Sequence, residues 1–472
     1  MIRSDRIGSG SEPRTLRDAI AAAAQPRFFF DRGGASVCFT ELGRGTSLDA
    51  RLPDLAGSAV LLATASQLTS ALALIELDGV ARRILILPPD ARAEHLAAVM
   101  DIAGIDAVVA DDGTPNHEAL QRSTRITCAP ALAPMSDSLP PAMRTEWLLL
   151  TSGTTGVPKI VVHDLASLTA ALHVPSPADG AGVWGTFYDI RRYGGLQIYL
   201  RALCGGASLV LSSAGEPIAD HLLRLAAHGV THLSGTPSQW RSALMQPETC
   251  GLAPRYVRLS GEIADQAILD GLRTAFPHAA IGHAYASTEA GVAFDVNDGL
   301  AGFPAGYLDA ERNGVAMRIV DGSLRIRSGA VASGYVGGAA LADASGFVDT
   351  GDIVERRGER FYFAGRKGGI INVGGLKVHP EEIEAVINRH PSVRMSLVRG
   401  RANPVTGSIV VADVVLKNEA EEAASRPAQL ALKDDILQLC REALPRHKVP
   451  AAISFVPALN VAATGKLLRR QG

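Results

Sequence analysis

The sequence predicts an α/β protein: a large N-terminal domain of mostly parallel, helix-covered sheets, followed by a small α+β domain. Short apolar runs bounded by turn formers alternate with helical patterns, as at 60–62, 94–103 and 107–110. This βαβ rhythm is typical of parallel strands joined by helices. With 472 residues, the chain is also too long for one ordinary core, so we expect two or three domains.

The elements of the N-terminal part follow this pattern in order. The alanine-rich stretch 16–24 predicts a helix, and the apolar run 84–87 predicts a strand. Further along, 207–211 and 221–228 repeat the alternation of strand and helix. Between 319 and 354 the pattern changes to short alternating runs with many glycines. This last region predicts a small antiparallel sheet or β-barrel-like part.

The C-terminal part is expected to follow a hinge at about 366–369, so that the domains span 1–366 and 367–472. Gly368 and Gly369 make this hinge flexible. The elements predicted after the hinge are strands at 370–373 and 409–416 and helices at 380–388 and 430–444. About 100 residues suffice for a domain of this kind.

Composition agrees with a soluble enzyme, which we expect in the cytoplasm. The 46 basic and 48 acidic residues nearly balance, which argues against a nucleic-acid-binding surface. No apolar run reaches the roughly 18 residues that cross a bilayer, and the N-terminus lacks an apolar signal region. The five cysteines are scattered and form no Cys-x-x-Cys pair, which is typical of reduced thiols. We expect no membrane insertion and no nucleic-acid partner, and either a monomer or a homodimer.

The most informative segment is a polar loop between two apolar strands. It reads Thr151-Ser152-Gly153-Thr154-Thr155-Gly156-Val157-Pro158-Lys159. Glycines let the backbone approach a phosphate closely, hydroxyls add hydrogen-bond donors, and lysine adds a mobile charge. The spacing differs from Gly-x-x-x-x-Gly-Lys-Ser/Thr, so the loop is not a Walker A motif. It nevertheless predicts phosphate binding.

Four later motifs accompany this loop. They are Tyr285-Ala286-Ser287-Thr288-Glu289, Asp349-Thr350-Gly351-Asp352, Gly365-Arg366-Lys367 and Thr464-Gly465-Lys466. Together the five motifs resemble, in composition and order, those of the adenylate-forming superfamily of acyl-CoA ligases, peptide-synthetase adenylation domains and acyl-AMP ligases. The resemblance covers about residues 15–472. It implies ATP-dependent activation of a carboxylic acid and a mobile C-terminal lid that rotates between an adenylating and a thioester-forming pose.

The resemblance assigns the phosphate and metal contacts to motif residues. Residues 151–155 and Lys159 would bind the β- and γ-phosphates of ATP. Thr288 would contact the α-phosphate, and Glu289 would bind Mg²⁺, an ion that prefers oxygen ligands and keeps several waters. The residues assigned to the phosphates are Thr151, Ser152, Gly153, Thr154, Thr155 and Lys159.

The ribose and the reacting groups are assigned in the same way. Asp352 would accept hydrogen bonds from both ribose hydroxyls, a task that suits the several lone pairs of a carboxylate. Arg366 would assist at the ribose. Lys466, carried by the lid, would bridge the substrate carboxylate and the α-phosphate. The predicted catalytic residues are therefore Lys466, Thr288 and Glu289.

The resemblance places the adenine beside His283, Ala284 and Tyr285 and beside Gly261 and Glu262. Where the family often has Gly-Gly-Ala, this chain reads Ser260-Gly261-Glu262. We therefore expect Glu262 to contact the nucleotide through its backbone only.

Two further positions bear on the second step and on structure. Gly375, next to Gly374, matches a glycine that lets a pantetheine arm reach the site, which favours transfer to a thiol. His163 occupies the family's usual histidine position after the phosphate loop, and we interpret it as structural.

The acid pocket is where the chain departs most from the family. The gate position, in the stretch that begins near Tyr188, falls at Arg191, Arg192 or Tyr193. Adenylation domains for α-amino acids need an aspartate there, and Asp189 lies too early, so an α-amino acid is disfavoured. The two arginines would bind a second anionic or hydrogen-bonding group of the acid, neutralise pyrophosphate, or point to solvent.

The other wall of the pocket is expected to include Ser234, Gly235 and Thr236, and Ser260 is also assigned to the substrate. Because these residues are small and polar, we expect a short or medium carboxylic acid, with or without a further functional group, rather than a long fatty acid.

Three functions remain open from the sequence. The first is an acyl-CoA ligase that uses ATP, Mg²⁺ and CoA. The second is an acyl-AMP ligase or adenylation enzyme that loads a phosphopantetheine carrier protein. The third is a non-catalytic nucleotide-binding relative, which the retained Lys466, Glu289 and phosphate loop disfavour.

Overall fold

The fold is described from a computed structural model. The described residues are 15–21, 26–49, 51–135, 142–151, 157–172, 182–338, 340–373, 376–403, 407–417, 425–460 and 466–467. Within them the predicted α/β class is confirmed, with parallel sheets in the N-terminal part and a small α+β unit at the C-terminus. No helix of the described residues is long and apolar enough to cross a membrane.

The first large sheet has seven strands. They are β4 (Ala59–Leu62), β5 (Arg83–Ile86), β6 (Ala107–Ala110), β7 (Thr124–Thr127), β9 (Glu146–Thr151), β10 (Lys159–His163) and β20 (Gly334–Tyr335). Their order in the sheet is β20-β10-β9-β5-β4-β6-β7. The five strands from β9 to β7 are parallel, and β10 and β20 extend the sheet in antiparallel fashion. The β9–β10 hairpin carries the predicted phosphate loop.

The second large sheet has eight strands. They are β1 (Phe28–Phe30), β2 (Ser36–Cys38), β11 (Val183–Thr186), β12 (Ser208–Val210), β13 (His232–Gly235), β14 (Tyr256–Ser260), β15 (Ala280–Ser287) and β16 (Gly291–Val296). Their order is β16-β15-β14-β13-β11-β12-β1-β2, and the sheet is antiparallel only at its two edges. The parallel strands end at residues assigned to the site, because loops that carry chemistry follow the carboxyl ends of parallel strands.

Nine helices lie in the described N-terminal part. They are α1 (Leu16–Ala21), α2 (Phe39–Leu42), α3 (Gln67–Leu77), α4 (Ala93–Ala103), α5 (Leu165–Thr169), α6 (Tyr193–Cys204), α7 (Ile218–Ala227), α8 (Pro237–Ala243) and α9 (Gln266–Ala275). Helix α3 is buried on all sides, and α6 is mostly buried, because they lie between the sheets and share one core cluster. Residues 22–24 of the predicted first helix lie outside the described residues.

The glycine-rich region forms an antiparallel sheet, as predicted. Its strands are β17 (Phe303–Pro304), β18 (Ala316–Val320), β19 (Ser323–Arg327), β21 (Val348–Arg357) and β22 (Arg360–Arg366). Their order is β17-β22-β21-β19-β18. A separate short pair joins β3 (Gly45–Thr46) and β8 (Ala133–Pro134). The β21–β22 hairpin is important for the site, since its register sets Asp352 opposite Arg366.

The C-terminal unit has its own core between one sheet and two helices. It contains β23 (Ile371–Val373), β24 (Leu376–Val378), α10 (Pro380–Ile387), β25 (Val393–Asn403), β26 (Gly407–Leu416), α11 (Arg426–Ala443) and β27 (Ala452–Phe455). Helix α11 begins four residues before the predicted Leu430, because its first turn is polar and gives no apolar signal. The domain boundary at 366–369 stays a prediction.

This unit rests on the N-terminal part through polar contacts. The Asn388 amide donates to Asp265 at 3.3 Å, and the Arg394 guanidinium donates to the Ser242 hydroxyl at 3.3 Å. The last described residues, 466–467, lie above the carboxyl ends of the strands of the second sheet.

Candidate active site

One carboxylate joins three of the sequence motifs. Asp352 on β21 accepts a hydrogen bond from the Tyr285 hydroxyl and a 2.9 Å hydrogen bond from Arg366 Nε. The Thr350 hydroxyl accepts a hydrogen bond from the Asp352 backbone N–H and donates to the Leu324 carbonyl, which fixes the turn. Burial, followed by the charge of Asp352, raises the pKa of Tyr285, and the same charge raises the pKa of Arg366. The structure therefore brings the predicted ribose residues together.

The adenine residues divide between the two faces of β15. Tyr285 lies parallel to Phe363, with ring centroids 5.1 Å apart, and His283 Nε2 donates to the Leu300 carbonyl at 3.0 Å. Burial lowers the pKa of His283. Ala284 pairs in register with Ser260, so its side chain points to the opposite face, toward α6. The assignment of His283, Ala284 and Tyr285 to the adenine stays a prediction.

The flanks of the phosphate loop are adjacent in the β9–β10 hairpin. Thr151 pairs in register with Lys159, and Lys159 Nζ lies 5.1 Å from the centre of the Tyr335 ring. Ser152, Gly153, Thr154 and Thr155 lie outside the described residues, so their assignment stays a prediction.

A buried histidine holds the segment that carries Thr288 and Glu289. His163 Nε2 donates to the Thr288 carbonyl at 2.7 Å, and its Nδ1 lies 3.0 Å from the Ser167 hydroxyl. His163 is fully buried, and burial lowers its pKa. These contacts agree with a structural role, in which His163 positions the backbone that carries Thr288 and Glu289.

Glu289 fits the predicted magnesium site. Burial and the nearby Glu289 raise the pKa of Tyr335, which places the carboxylate beside Tyr335 and hence near Lys159. Among the described residues no group of three or more His, Cys, Asp or Glu side chains could hold a metal. A single carboxylate suits Mg²⁺ at an ATP site, because this ion takes most of its ligands from phosphates and water.

The lid lysine lies over the carboxyl end of β14. Gly261 has φ +87°, and a Cβ built on it would lie 3.2 Å from Lys466 Cε, so the glycine makes room for the lysine. Desolvation by the surrounding protein, followed by the charge of Arg366, lowers the pKa of Lys466, although part of the residue stays exposed. Glu262 and Asp352 act on this pKa in the opposite direction. Lys466 therefore lies among the predicted ribose residues.

Glu262 joins the lid to the core by its side chain. One carboxylate oxygen accepts the Leu467 backbone N–H at 2.9 Å, and the other accepts the Ser238 backbone N–H at 2.9 Å. The expected backbone contact of Glu262 with the nucleotide stays a prediction. Glu262 links the residue next to Lys466 with the N-terminal turn of α8.

Arg191 does not have the contacts predicted for a substrate-binding residue. Its guanidinium forms hydrogen bonds of 2.9 and 2.6 Å to Asp189 and donates to the Thr64 and Ala65 carbonyls. Only 3% of the residue is exposed. Because its partners lie within the protein, Arg191 holds the gate segment against the loop after β4, and its assignment to the acid stays a prediction.

Arg192 lies within electrostatic range of Lys466. It occupies the N-cap position of α6 and pairs with Asp90, while its buried Nε has no hydrogen-bond partner among the described residues. Burial lowers the pKa of Arg192 to about 10, and its charge acts on Lys466. The Tyr188 hydroxyl donates to the Ser260 carbonyl at 2.8 Å, and the ring of Tyr193 lies 5.6 Å from that of His163.

The residues predicted for the other wall of the acid pocket lie on two opposite faces of the second sheet. Ser234 and Ser260 point toward α6, whereas a Cβ on Gly235 would lie 2.6 Å from Phe187 on the other face. The assignment of Gly235 to the acid pocket stays a prediction. Gly374 and Gly375 lie outside the described residues.

Sequence reasoning missed three polar residues between α6 and the sheet: Gln197, Arg201 and Arg258. Arg258 is 4% exposed and pairs with Asp295 at 2.6 Å. The available signal was a charged residue at an inward position of the strand Tyr256-Val257-Arg258-Leu259-Ser260 and another within the apolar helix α6. Both were overlooked because a lone charge is usually solvated.

Comparison with known proteins agrees with this geometry. The model of the AMP-binding enzyme family matches residues 56–336, and that of the AMP-binding enzyme C-terminal domain matches residues 382–466. The chain belongs to the AMP-binding enzyme family.

Relatives of this AMP-binding enzyme include proteins of two kinds. A plipastatin synthase protein of Bacillus subtilis (strain 168) is 29% identical over 356 residues, which cover 68% of this chain and 13% of that protein. The 2-succinylbenzoate–CoA ligase of the same strain is 26% identical over 348 residues, which cover 69% of this chain and 68% of that protein.

Solved structures of the same fold span nearly the whole chain. The anthranilate CoA ligase AuaEII in complex with anthranoyl-AMP has a TM-score of 0.75 at 17% identity and covers 96% of this chain and 95% of that one. The amide bond synthetase McbA from Marinactinospora thermotolerans has a TM-score of 0.77 at 20% identity, with 96% and 97% covered. At such identities the likeness establishes the fold.

Proposed function

We propose that this AMP-binding enzyme activates a small carboxylic acid with ATP and transfers the acyl group to the thiol of CoA. The observation that carries the proposal is the position of Lys466, which the lid sets above Gly261 and among Glu262, Asp352 and Arg366. A lysine held there meets both reactants, because ribose bound at Asp352 would direct the α-phosphate toward it.

In the first step a carboxylate oxygen attacks the α-phosphorus of ATP. The new acid–phosphorus bond forms as the bond to the bridging oxygen breaks, and pyrophosphate leaves with the electron pair. Two anions meet in this step, so their charge must be neutralised and their geometry held. Lys466 supplies positive charge at the reacting oxygens, Asp352 and Arg366 fix the ribose, and Thr288 approaches the α-phosphate.

The flanks of the phosphate loop would hold the leaving group. Lys159 contributes charge beside Glu289, and residues 151–155 contribute hydroxyl and backbone donors. Mg²⁺, when bound at Glu289, would neutralise further phosphate charge. Arg192 adds a cation near Lys466 and suits either the carboxylate or the phosphates.

In the second step a thiolate attacks the acyl carbon, the thioester bond forms, and AMP leaves. CoA as the acceptor is supported by the relative named 2-succinylbenzoate–CoA ligase, which aligns with 69% of this chain. A carrier-protein thiol is the second candidate. It is favoured by similarity to the plipastatin synthase protein and by 26% identity over 421 residues to Syringomycin synthase SyrB1 of Pseudomonas syringae pv. syringae.

The test is acid-dependent pyrophosphate release across a panel of dicarboxylic, hydroxy, aryl, amino and medium-chain acids, with and without CoA. We expect release for one class of short or medium acids, accelerated by CoA, and loss of release in Lys466→Ala. Release that CoA does not accelerate, together with acylation of a phosphopantetheine carrier, would favour the second candidate. No release with any acid, or a preference for palmitate, would contradict the proposal.

A further inference from the structure

Helix α6 presents a polar stripe to the second sheet. Tyr193, Gln197 and Arg201 are spaced by four residues and so share one face of the helix. The facing surface of the sheet carries Ser234 and Arg258, which pair in register on neighbouring strands, so that their side chains point to the same face. Tyr256, on the same face of β14, packs against the core cluster that contains α6. The two polar surfaces therefore face each other.

Arg258 crosses a neighbouring strand to reach its partner. It pairs in register with Gly282 of β15, and Asp295 of β16 pairs with Ala284. Because Gly282 and Ala284 are small, the guanidinium extends over β15 and donates to Asp295 at 2.6 Å. Its Nε remains buried with no hydrogen-bond partner among the described residues.

A second arginine gives this region an excess of positive charge. Arg201 Nε is also buried and lacks a hydrogen-bond partner among the described residues. Burial and the neighbouring Arg258 lower the pKa of Arg201, while Asp295 acts in the opposite direction. Two guanidinium groups thus face one carboxylate, and nearby Tyr193 stays neutral because burial raises its pKa. An uncompensated buried charge is costly unless a ligand pairs with it.

Two further polar atoms in the same region lack partners. The Ser234 hydroxyl and the Gln197 side-chain oxygen are buried without a hydrogen-bond partner among the described residues, while Gln197 Nε2 donates to the Leu168 carbonyl of α5 at 2.9 Å. Four such atoms around one interface are unusual, since buried polar groups are normally satisfied. A polar ligand bound between α6 and the sheet would supply the hydrogen-bond partners that these atoms lack.

We propose that the acid substrate carries a second carboxylate, which Arg258 and Arg201 bind at the inner end of the acid side. This inference rests on the proposed function and names its substrate class. Arg258 precedes Gly261, which lies beneath Lys466, by three residues, or at most about 10 Å at 3.3 Å per residue. This spacing admits a short or medium dicarboxylic acid. Arg191 and Arg192, the arginines that the gate position suggested, are not needed for this role.

The test uses non-reacting analogues of the acyl adenylate. Two acyl-sulfamoyl-adenosines of equal length are compared by calorimetry, one with a distal carboxylate and one with a distal carboxamide. We expect the carboxylate to bind at least about 10-fold more tightly, since charge-assisted hydrogen bonds exceed neutral ones. Arg201→Met should remove this preference and leave carboxamide binding within about 3-fold, because neutral contacts are kept.

Two further variants complete the design. Arg258→Met combined with Asp295→Leu removes the ion pair as a unit, and should also remove the preference. Arg273 is an exposed arginine on α9, and Arg273→Met is the matched control, which should keep the preference for the distal carboxylate.

Equal or tighter binding of the carboxamide by the wild type, or a preference that survives both variants, would overturn the second carboxylate and leave the proposed function standing. Failure of both analogues to bind while ATP with Mg²⁺ still binds would also overturn it. Failure of ATP binding as well would contradict the proposed function itself.

Discussion

The nucleotide side of the site and its acid side are built from different kinds of sequence. On the nucleotide side, Tyr285, Asp352 and Arg366 come from short motifs and meet at one carboxylate. On the proposed acid side, Arg201 and Arg258 lie within a helix and a strand that are distant in sequence and are brought together by the packing of α6 on the sheet. We therefore expect local motifs to bind ATP, and residues that only the tertiary structure brings together to bind the acid.

The largest expected effect concerns the residue that joins the two sides. Lys466→Ala should lower the rate of adenylation by at least about 100-fold, because it removes a preorganised charge at the reacting oxygens. Thioester formation from supplied acyl adenylate should change less than about 3-fold, since the first step is bypassed. Single-turnover kinetics of the two half-reactions measure this split.

Lys417→Ala, at an exposed position directly after β26, is the matched control and should leave both rates unchanged. An equal loss of both half-reactions in Lys466→Ala would show that the lysine is structural.

The next prediction concerns the nucleotide side of the site alone. Asp352→Asn should raise the KM for ATP by about 10- to 100-fold, because the amide keeps only one acceptor oxygen and loses the negative charge that Tyr285, Arg366 and the ribose would share. Preference among acids should not change. Steady-state kinetics with ATP varied at saturating acid provide the measurement, and a shift of acid preference would count against a separate nucleotide side.

A smaller effect is expected for the contact between lid and core. Glu262→Ala should slow adenylation about 10-fold, because the backbone N–H groups of Leu467 and Ser238 lose their acceptor. Glu262→Gln keeps one acceptor oxygen and should restore part of the rate. If adenylation is unaffected while thermal stability falls, Glu262 has no role in positioning Lys466.

The pH profile gives the smallest effect. Desolvation and Arg366 lower the pKa of Lys466 from its ordinary value of 10.5. As the pH rises, Lys466 should therefore lose its positive charge at a lower pH than an ordinary lysine does. The lysine acts in its charged form, so adenylation should decline as pH rises through this lowered pKa. Lys466→Arg should move the decline to higher pH, because arginine stays protonated. An identical alkaline limb in both proteins would contradict this assignment.

Much of the fold follows from local pattern. The strands around Leu85 and Val108 and the helix at Ala93–Ala103 are confirmed, because their apolar runs have the length and period of buried elements. The start of α11 was misplaced, since its first turn is polar and exposed.

The residues of the candidate site could be predicted from the sequence only where they belong to a short motif. Arg191 lies at the expected gate, yet its partners Thr64 and Ala65 are more than 120 residues distant in sequence and gave no local signal. Arg258 was missed for the same reason, because its importance depends on Asp295 lying two strands away in the sheet.

The separation of the two sides is tested most directly by ATP–pyrophosphate exchange in Asp352→Asn and Arg201→Met, each with one dicarboxylic acid and its monoamide. Asp352→Asn should change the KM for ATP and keep the preference for the dicarboxylic acid. Arg201→Met should keep the KM for ATP and lose that preference. If either variant changes both quantities to a similar extent, the two sides are not separate and the account is wrong.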